Sequence, residues 1–219
     1  TGLLNQVGGF SLAFFLATGL AGLAIVFVLP TRERRAPPQP ASLKRVARLI
    51  TRRDVLLPAL LAAAAQHVNW GTTFGFIPVS MQIGVVMVGH LATTAMEKRL
   101  GARPLVYASF GLLVVGLGIS AFAPTLGWIF VAQFCFGLSL GVSYPVLMGK
   151  SIENVSEGRR STAMGLHQAV YAIGMFSGPG ISGVLADAIG IQPMFLVTGI
   201  AFLPTLFAIR YLAPAKDRN

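Results

Sequence analysis

Charge is what this sequence has least of. Only 11% of its 219 residues are Asp, Glu, Lys or Arg, against 54% hydrophobic. A soluble domain carries about 25% charged residues, so there is too little polar side chain here to cover a water-facing globule. The mean hydropathy of +0.72 says the same. Cysteine is nearly absent: Cys135 alone excludes an intrachain disulfide, a cysteine metal cluster and a redox pair, and in the apolar run 128–148 it reads as a small buried hydrophobe. The three histidines have no Asp or Glu near them in sequence, and neither H-E-x-x-H nor G-x-S-x-G occurs. No catalytic set, metal site or cofactor site can be read, and no enzyme is expected. The chain does not start with Met and shows no signal-peptide pattern, so it reads as the continuation of a longer protein.

What is present is apolar length. Stretches near the ~20 residues that cross a bilayer core run over 10–30, 55–79, 83–96, 104–123, 128–149, 161–185 and 193–212. They are continuously apolar, not alternating, and a lone segment in lipid must satisfy its own backbone, so each predicts a helix. The expected fold is all-α, a polytopic transmembrane bundle of about seven helices. All 17 Lys and Arg fall between spans one and two, three and four, five and six, or, as Arg210, Lys216 and Arg218, at the end of the chain. The other connections, 1–9, 80–82, 124–127 and 186–192, have none. A net charge of +10 spread in this way marks cytoplasmic loops, not nucleic-acid binding, and orients the chain with its N-terminus outside and its C-terminus in the cytoplasm.

Two connections stand out. Residues 55–96 contain no charged residue, about two spans' length that leaves almost nothing for a turn. The third span is then short, and either a tight bend occupies 78–82 or, the preferred alternative, a polar loop is missing there. The first basic connection has a Pro-rich stretch, 36–40, expected to be extended, and then 42–54. In the latter Leu43, Val46 and Ile50 recur at helical spacing opposite Lys44, Arg45, Arg48 and Arg52. A helix lying on the membrane surface and a basic loop that only sets topology both remain open.

No formally charged side chain sits in the middle of a span, which leaves no buried carboxylate or Arg anion clamp in this part of the protein. The polar groups are neutral, apart from histidines that could titrate. In span two Gln66, Asn69 and Thr73 make a stripe at i, i+3 and i+7, with Trp70 beside it. Such a stripe faces a cavity or forms interhelical hydrogen bonds. His90 in span three stands alone. In span six His167, Tyr171, Gly174 and Gly178 share a face; in span five Gly137, Gly141 and Tyr144 do, ended by Pro145. Small residues allow close helix approach, and with the prolines they point to packing that either holds or rearranges.

The stretch EGRRSTAMGLHQAVYAIGMFSGPGISG, 157–183, resembles the entry to the eleventh helix of major facilitator superfamily transporters, in which Arg160, Thr162, Ala163, Met164, Gly165, Gln168, Gly174, Gly178, Pro179 and Gly183 match the usual pattern. Residues 94–105, TAMEKRLGARPL, are similar to the motif between helices eight and nine through Arg99, Gly101, Arg103 and Pro104, although Lys98 stands where the family has Asp. Leu29-Pro30 and the basic residues after it resemble the end of helix six.

The resemblance implies helices six to twelve of an efflux-type member. Residues 1–30 would be the last helix of the N-terminal half, 31–54 the basic inter-half loop, 55–212 the C-terminal six-helix half and 213–219 a cytoplasmic tail. It implies alternating access about a midplane site in the bacterial inner (plasma) membrane. The expected partners are a small-molecule substrate, protons, the lipid bilayer and the N-terminal half. Gln66, Asn69, Trp70, Thr73, His90, Tyr144, His167 and Tyr171 would line the cavity. Arg99, Gly101, Arg103, Gly137, Gly141, Pro145, Gly174, Gly178, Pro179 and Gly183 would serve packing and gating. Proton-coupled export is the expected function, with an uptake symporter for sugar or organic acid, or a non-transporting half-length subunit, as alternatives.

Overall fold

The computed structural model describes Thr18, Gly19, Gly22 and residues 43–74 and 80–212. Its regular elements are all helical: α1 (Leu43–Ile50), α2 (Arg53–Val68) running on into a π-helical turn (Asn69–Phe74), α3 (Ser80–Leu100), α4 (Ala102–Phe122), α5 (Leu126–Glu153), α6 (Glu157–Ile189) and α7 (Ile191–Ile209). The chain divides into a unit 1–39 and a unit 40–219, and α1 to α7 all belong to the second. The first predicted span apart from those three residues, the Pro-rich stretch, and the tail 213–219 lie outside the described residues.

Helices α2 to α7 stand where the six later spans are expected. Among the described residues four of them, α4, α5, α6 and α7, are long and apolar enough to cross a membrane. Helix α2 has only 16 residues before the π turn, and α3 is diluted by Gln82, His90, Thr93 and Thr94. Several boundaries differ from those the sequence predicts. The third span is not short: α3 has 21 residues, and Ser80–Gln82, expected as a connection, are its first turn. The bend or missing loop would now fall at 75–79, outside the described residues. Lys150, Arg159 and Arg160, expected in loops, belong to the ends of α5 and α6, because a helix ends where its backbone hydrogen bonding ends and not where the first charge stands. At 33 residues α6 is about 50 Å long, well beyond a bilayer core of about 30 Å.

Helix α5 does not end at Pro145 but continues to Glu153. Proline removes one N–H and so orphans the carbonyl four residues back, here that of Gly141. The Thr93 hydroxyl of α3 lies 3.2 Å from that oxygen and 2.7 Å from the Gly89 carbonyl of its own helix. A neighbour therefore offers the freed acceptor a donor.

The basic end of the bundle is tied by specific contacts. Arg52 meets Asp54 through two nitrogens and donates to the Asn154 carbonyl at 2.9 Å. Arg53 lies 4.4 Å over the Tyr211 ring, and Arg103 Nε donates to the Leu212 carbonyl at 2.6 Å. Helix α1 exists, but its apolar contact is inward: Leu49 packs with Val55, Val155 and Ala163, while Ile50 is exposed. The joins α3–α4 and α6–α7 are single residues, Gly101 at φ 83° and Gly190 at φ 90°. That region suits glycine and strains other residues.

Two helix pairs are sealed by missing β-carbons. A Cβ at Gly174 of α6 would lie 1.9 Å from the Ala63 carbonyl oxygen of α2, and one at Gly178 would lie 2.4 Å from that of His67. A Cβ at Gly137 of α5 would lie 2.9 Å from the Gln82 carbonyl oxygen, and one at Gly141 would lie 3.0 Å from the Gly89 Cα. Gly183, expected to pack likewise, has open space at that position, so it makes no such approach. The apolar core lies mainly between α4, α5 and α7, where Phe110, Leu117, Phe136, Met194 and Phe202 are buried.

Candidate functional site

Gln66 of α2 and Asn69 of the π turn are buried, and Trp70 of the same turn is half-buried. Thr73 lies in the π turn, its side chain outside the described residues. Asn69 Oδ1 accepts from Gln82 Nε2 of α3 at 2.5 Å, so part of the stripe does form an interhelical hydrogen bond. The same two residues, with Ile83, Val86, Met87, His90 and Leu140, line a cleft of about 300 Å³. The two readings of the stripe thus coexist at Asn69. Gln66 Oε1 is fully buried without a hydrogen-bond partner. His67 turns the other way, its Nδ1 2.8 Å from Ser177 Oγ on α6.

The remaining four candidates come together as a row of rings. His90 of α3 and Tyr144 of α5 have centroids 6.3 Å apart, Tyr144 and Tyr171 of α6 are 5.2 Å apart, and Tyr171 and His167 are 6.4 Å apart. The spacing follows from the helices: 167 and 171 are one turn apart on α6, and the glycines hold α3 close enough to α5 for His90 to reach Tyr144. His90, alone in the sequence, is therefore part of a cluster. Its ring is exposed, the two tyrosines are half-buried, and His167 is fully buried. His167 Nδ1 is 2.7 Å from Ser151 Oγ, whereas its Nε2 has no partner. Gln168 Nε2 donates to the Tyr144 hydroxyl at 3.1 Å.

Two residues of this surface, Gln82 and Gln168, are not among the candidates that the sequence suggests. Gln82 falls in an expected connection, yet it precedes His90 by eight residues, about two helical turns, a period that places both on one face. Gln168 enters only as part of a motif, although it follows His167 directly. Among the gating candidates Arg99 is exposed, and Arg103 makes the bond to Leu212 already described. Pro179 lies inside α6.

Among the described residues no group of three or more His, Cys, Asp or Glu is placed to hold a metal ion. What the row and the cleft offer is hydrogen-bonding groups and ring faces. The formal charges lie at the helix ends, where Lys150 Nζ, almost fully buried, pairs with Glu153 at 2.7 Å.

Known transporters resemble this chain in sequence. A family profile described as Major Facilitator Superfamily matches residues 53–219. A tetracycline resistance protein, class G, of Vibrio anguillarum is 26% identical over 151 residues, covering 68% of this chain and 37% of that protein. A putative niacin/nicotinamide transporter of Bacillus subtilis (strain 168) is 26% identical over 151 residues, covering 66% and 36%. Monocarboxylate transporter 9 of Pongo abelii is 24% identical over 168 residues, covering 73% and 32%. The chain spans about a third of the length of these curated relatives.

Proposed function

Because the chain belongs to the Major Facilitator Superfamily, we propose that it forms one half of a secondary transporter that carries a small molecule across a lipid bilayer by alternating access. The partner half would close the cavity over the face formed by α2, α3, α5 and α6. The observation that carries this reading is the convergence of Asn69, Gln82, His90, Tyr144, Tyr171 and His167 from four helices. Polar groups at membrane depth persist where they face a cavity or one another.

Our reading keeps the basic end in the cytoplasm, places the protein in a bacterial inner membrane and takes proton-driven export as its direction. The relatives named for tetracycline resistance support export, and those named for niacin/nicotinamide and monocarboxylate transport support the alternative of uptake. Flux into inverted vesicles carrying the intact protein decides between them, with tetracycline, niacin and lactate as probes and with or without an imposed proton gradient. Accumulation that needs the gradient supports export. Loss of preloaded probe down to the outside marks uptake, and no flux of any probe in either direction removes the transport reading.

A further inference from the structure

The ring row says more than that a cavity exists. Four rings from three helices follow one another at 6.3, 5.2 and 6.4 Å, within the 4.5–7 Å range in which aromatic groups attract by offset or edge-to-face contact. The planes are tilted at 40° and 56° at the two joints that cross between helices, so the rings there are neither stacked nor perpendicular. The exposed end is His90, and the half-exposed middle is the tyrosine pair. Neither these side chains nor Gln168 beside them is an Asp, Glu, Lys or Arg. Sugars need several aligned hydrogen-bond donors and acceptors, and inorganic or carboxylate anions need a cation; this wall supplies neither in number. Its polar capacity is small and specific. The Tyr144 hydroxyl accepts from Gln168 and keeps its own proton to donate. The fully buried Nε2 of His167 stays without a partner, although its ring stacks on Tyr171 at an interplanar angle of 23°.

We infer that this wall selects a planar aromatic substrate, its ring set against Tyr144 and Tyr171 and one or two neutral polar substituents reaching the Tyr144 hydroxyl and the exposed His90 imidazole. The inference rests on the transport-cavity reading for its location, but not for its chemistry. A charged substituent, where the substrate has one, would be met by the other half of the cavity.

The test is binding, not flux, so that the two readings fail separately. The intact protein in nanodiscs is titrated with 2-naphthamide and with its saturated counterpart, decahydronaphthalene-2-carboxamide, which carries the same amide on a non-planar frame. Each aromatic contact contributes modestly beyond area burial, so two contacts predict about tenfold tighter binding of the aromatic amide. Tyr144→Leu and Tyr171→Leu should each reduce that preference by about threefold or more, and Tyr171→Phe, which keeps the ring, should retain it. The melting temperature of each variant reports folding, and the Phe variant carries the test if a Leu variant does not fold. Equal binding of the two amides, no binding of either at millimolar concentration, or a preference unchanged in the folded Leu variants each overturns the inference. A clear preference in a protein that moves no probe in the flux assay would instead leave the inference standing and remove the transport reading.

Discussion

Gly174 and Gly183 lie on the same helix, and both are expected on sequence grounds to allow close packing, yet the structure predicts opposite results for the same substitution. At Gly174 a Cβ would meet the Ala63 carbonyl oxygen at 1.9 Å, its carbon at 2.7 Å and the Ala63 Cα at 2.9 Å. All three are backbone atoms of α2, so no side chain can rotate away. Restoring an ordinary contact of about 3.4 Å requires the helices to part by about 1.5 Å. That separation loosens the Gly178–His67 and Gly71–Ser182 approaches along the same seam. Overpacking costs about 1–3 kcal/mol, and rigid backbone on both sides places Gly174→Ala at the upper end. The better helix propensity of alanine returns up to about 1 kcal/mol, leaving a net loss of about 2 kcal/mol. At Gly183 nothing lies within 4 Å of the added methyl, so only the propensity gain remains. Unfolding of the purified protein in mixed micelles with increasing SDS reports both. Gly174→Ala should lower the folding equilibrium constant by about thirtyfold, and Gly183→Ala should leave it unchanged or raise it. Equal effects at the two positions, or a stable Gly174→Ala, would refute the account of the α2–α6 seam.

Other expectations follow from single contacts. Thr93→Val removes the hydroxyl beside the Gly141 carbonyl and should cost about 0.6–2 kcal/mol, the range for polar contacts in membrane bundles. The cost should shrink when Pro145→Ala gives that carbonyl a helical N–H again, a double-mutant cycle read by the same SDS titration. Arg103→Met should loosen the end of α7 by removing the bond to the Leu212 carbonyl, seen as faster proteolysis near residue 212 with the bundle intact. Hydrogen bonding from the Arg52 guanidinium holds the Asp54 carboxyl below the usual carboxylate range. A lowered folded-state pKa stabilises above the unfolded value of about 3.9 and is lost as pH falls through the folded one. Asp54→Asn should therefore melt lower than the parent at pH 7, and the gap should close below about pH 4.

The number and order of the six described long helices are legible in the sequence because lipid leaves a single segment few options, and uncharged runs of the right length mark where helices stand. Their ends are not. Charge marks where side chains leave the membrane, whereas a helix ends where backbone hydrogen bonding ends, which is why Lys150, Arg159 and Arg160 belong to helices and not to loops. Contacts across helices are legible only in part. Spacing puts His167 and Tyr171 on one face, but nothing in the sequence of α3 shows that His90 meets Tyr144. That meeting depends on the depth at which Gly89 and Gly141 lock α3 to α5, a register set by two glycines 52 positions apart. His67 shows the converse. It sits next to the polar stripe in sequence, but two residues from Asn69 it points about 200° around the helix, toward Ser177.

Lys150 is the last such case, and it can be tested. By sequence it is a topological charge between spans, but its side chain is 4% exposed and its ammonium pairs with Glu153, itself 32% exposed. The two border a crevice of about 300 Å³ that Glu97 and Arg160 also line. Removing one member of a buried pair leaves an uncompensated charge and is costly, whereas replacing the charge by an apolar side chain of similar volume is often neutral or stabilising. Glu153→Gln should therefore destabilise the bundle more than Lys150→Met, even though each breaks the same contact. Because Glu153 keeps partial access to solvent, its loss should fall below the 3–5 kcal/mol of a fully buried pair, at about 1–3 kcal/mol. With Glu153 gone, Glu97 is the carboxylate left at the crevice, so Glu97→Gln should cost more in the Glu153→Gln background than in the parent. If Lys150→Met proves the more damaging change, the lysine supports the fold through contacts other than its pairing with Glu153.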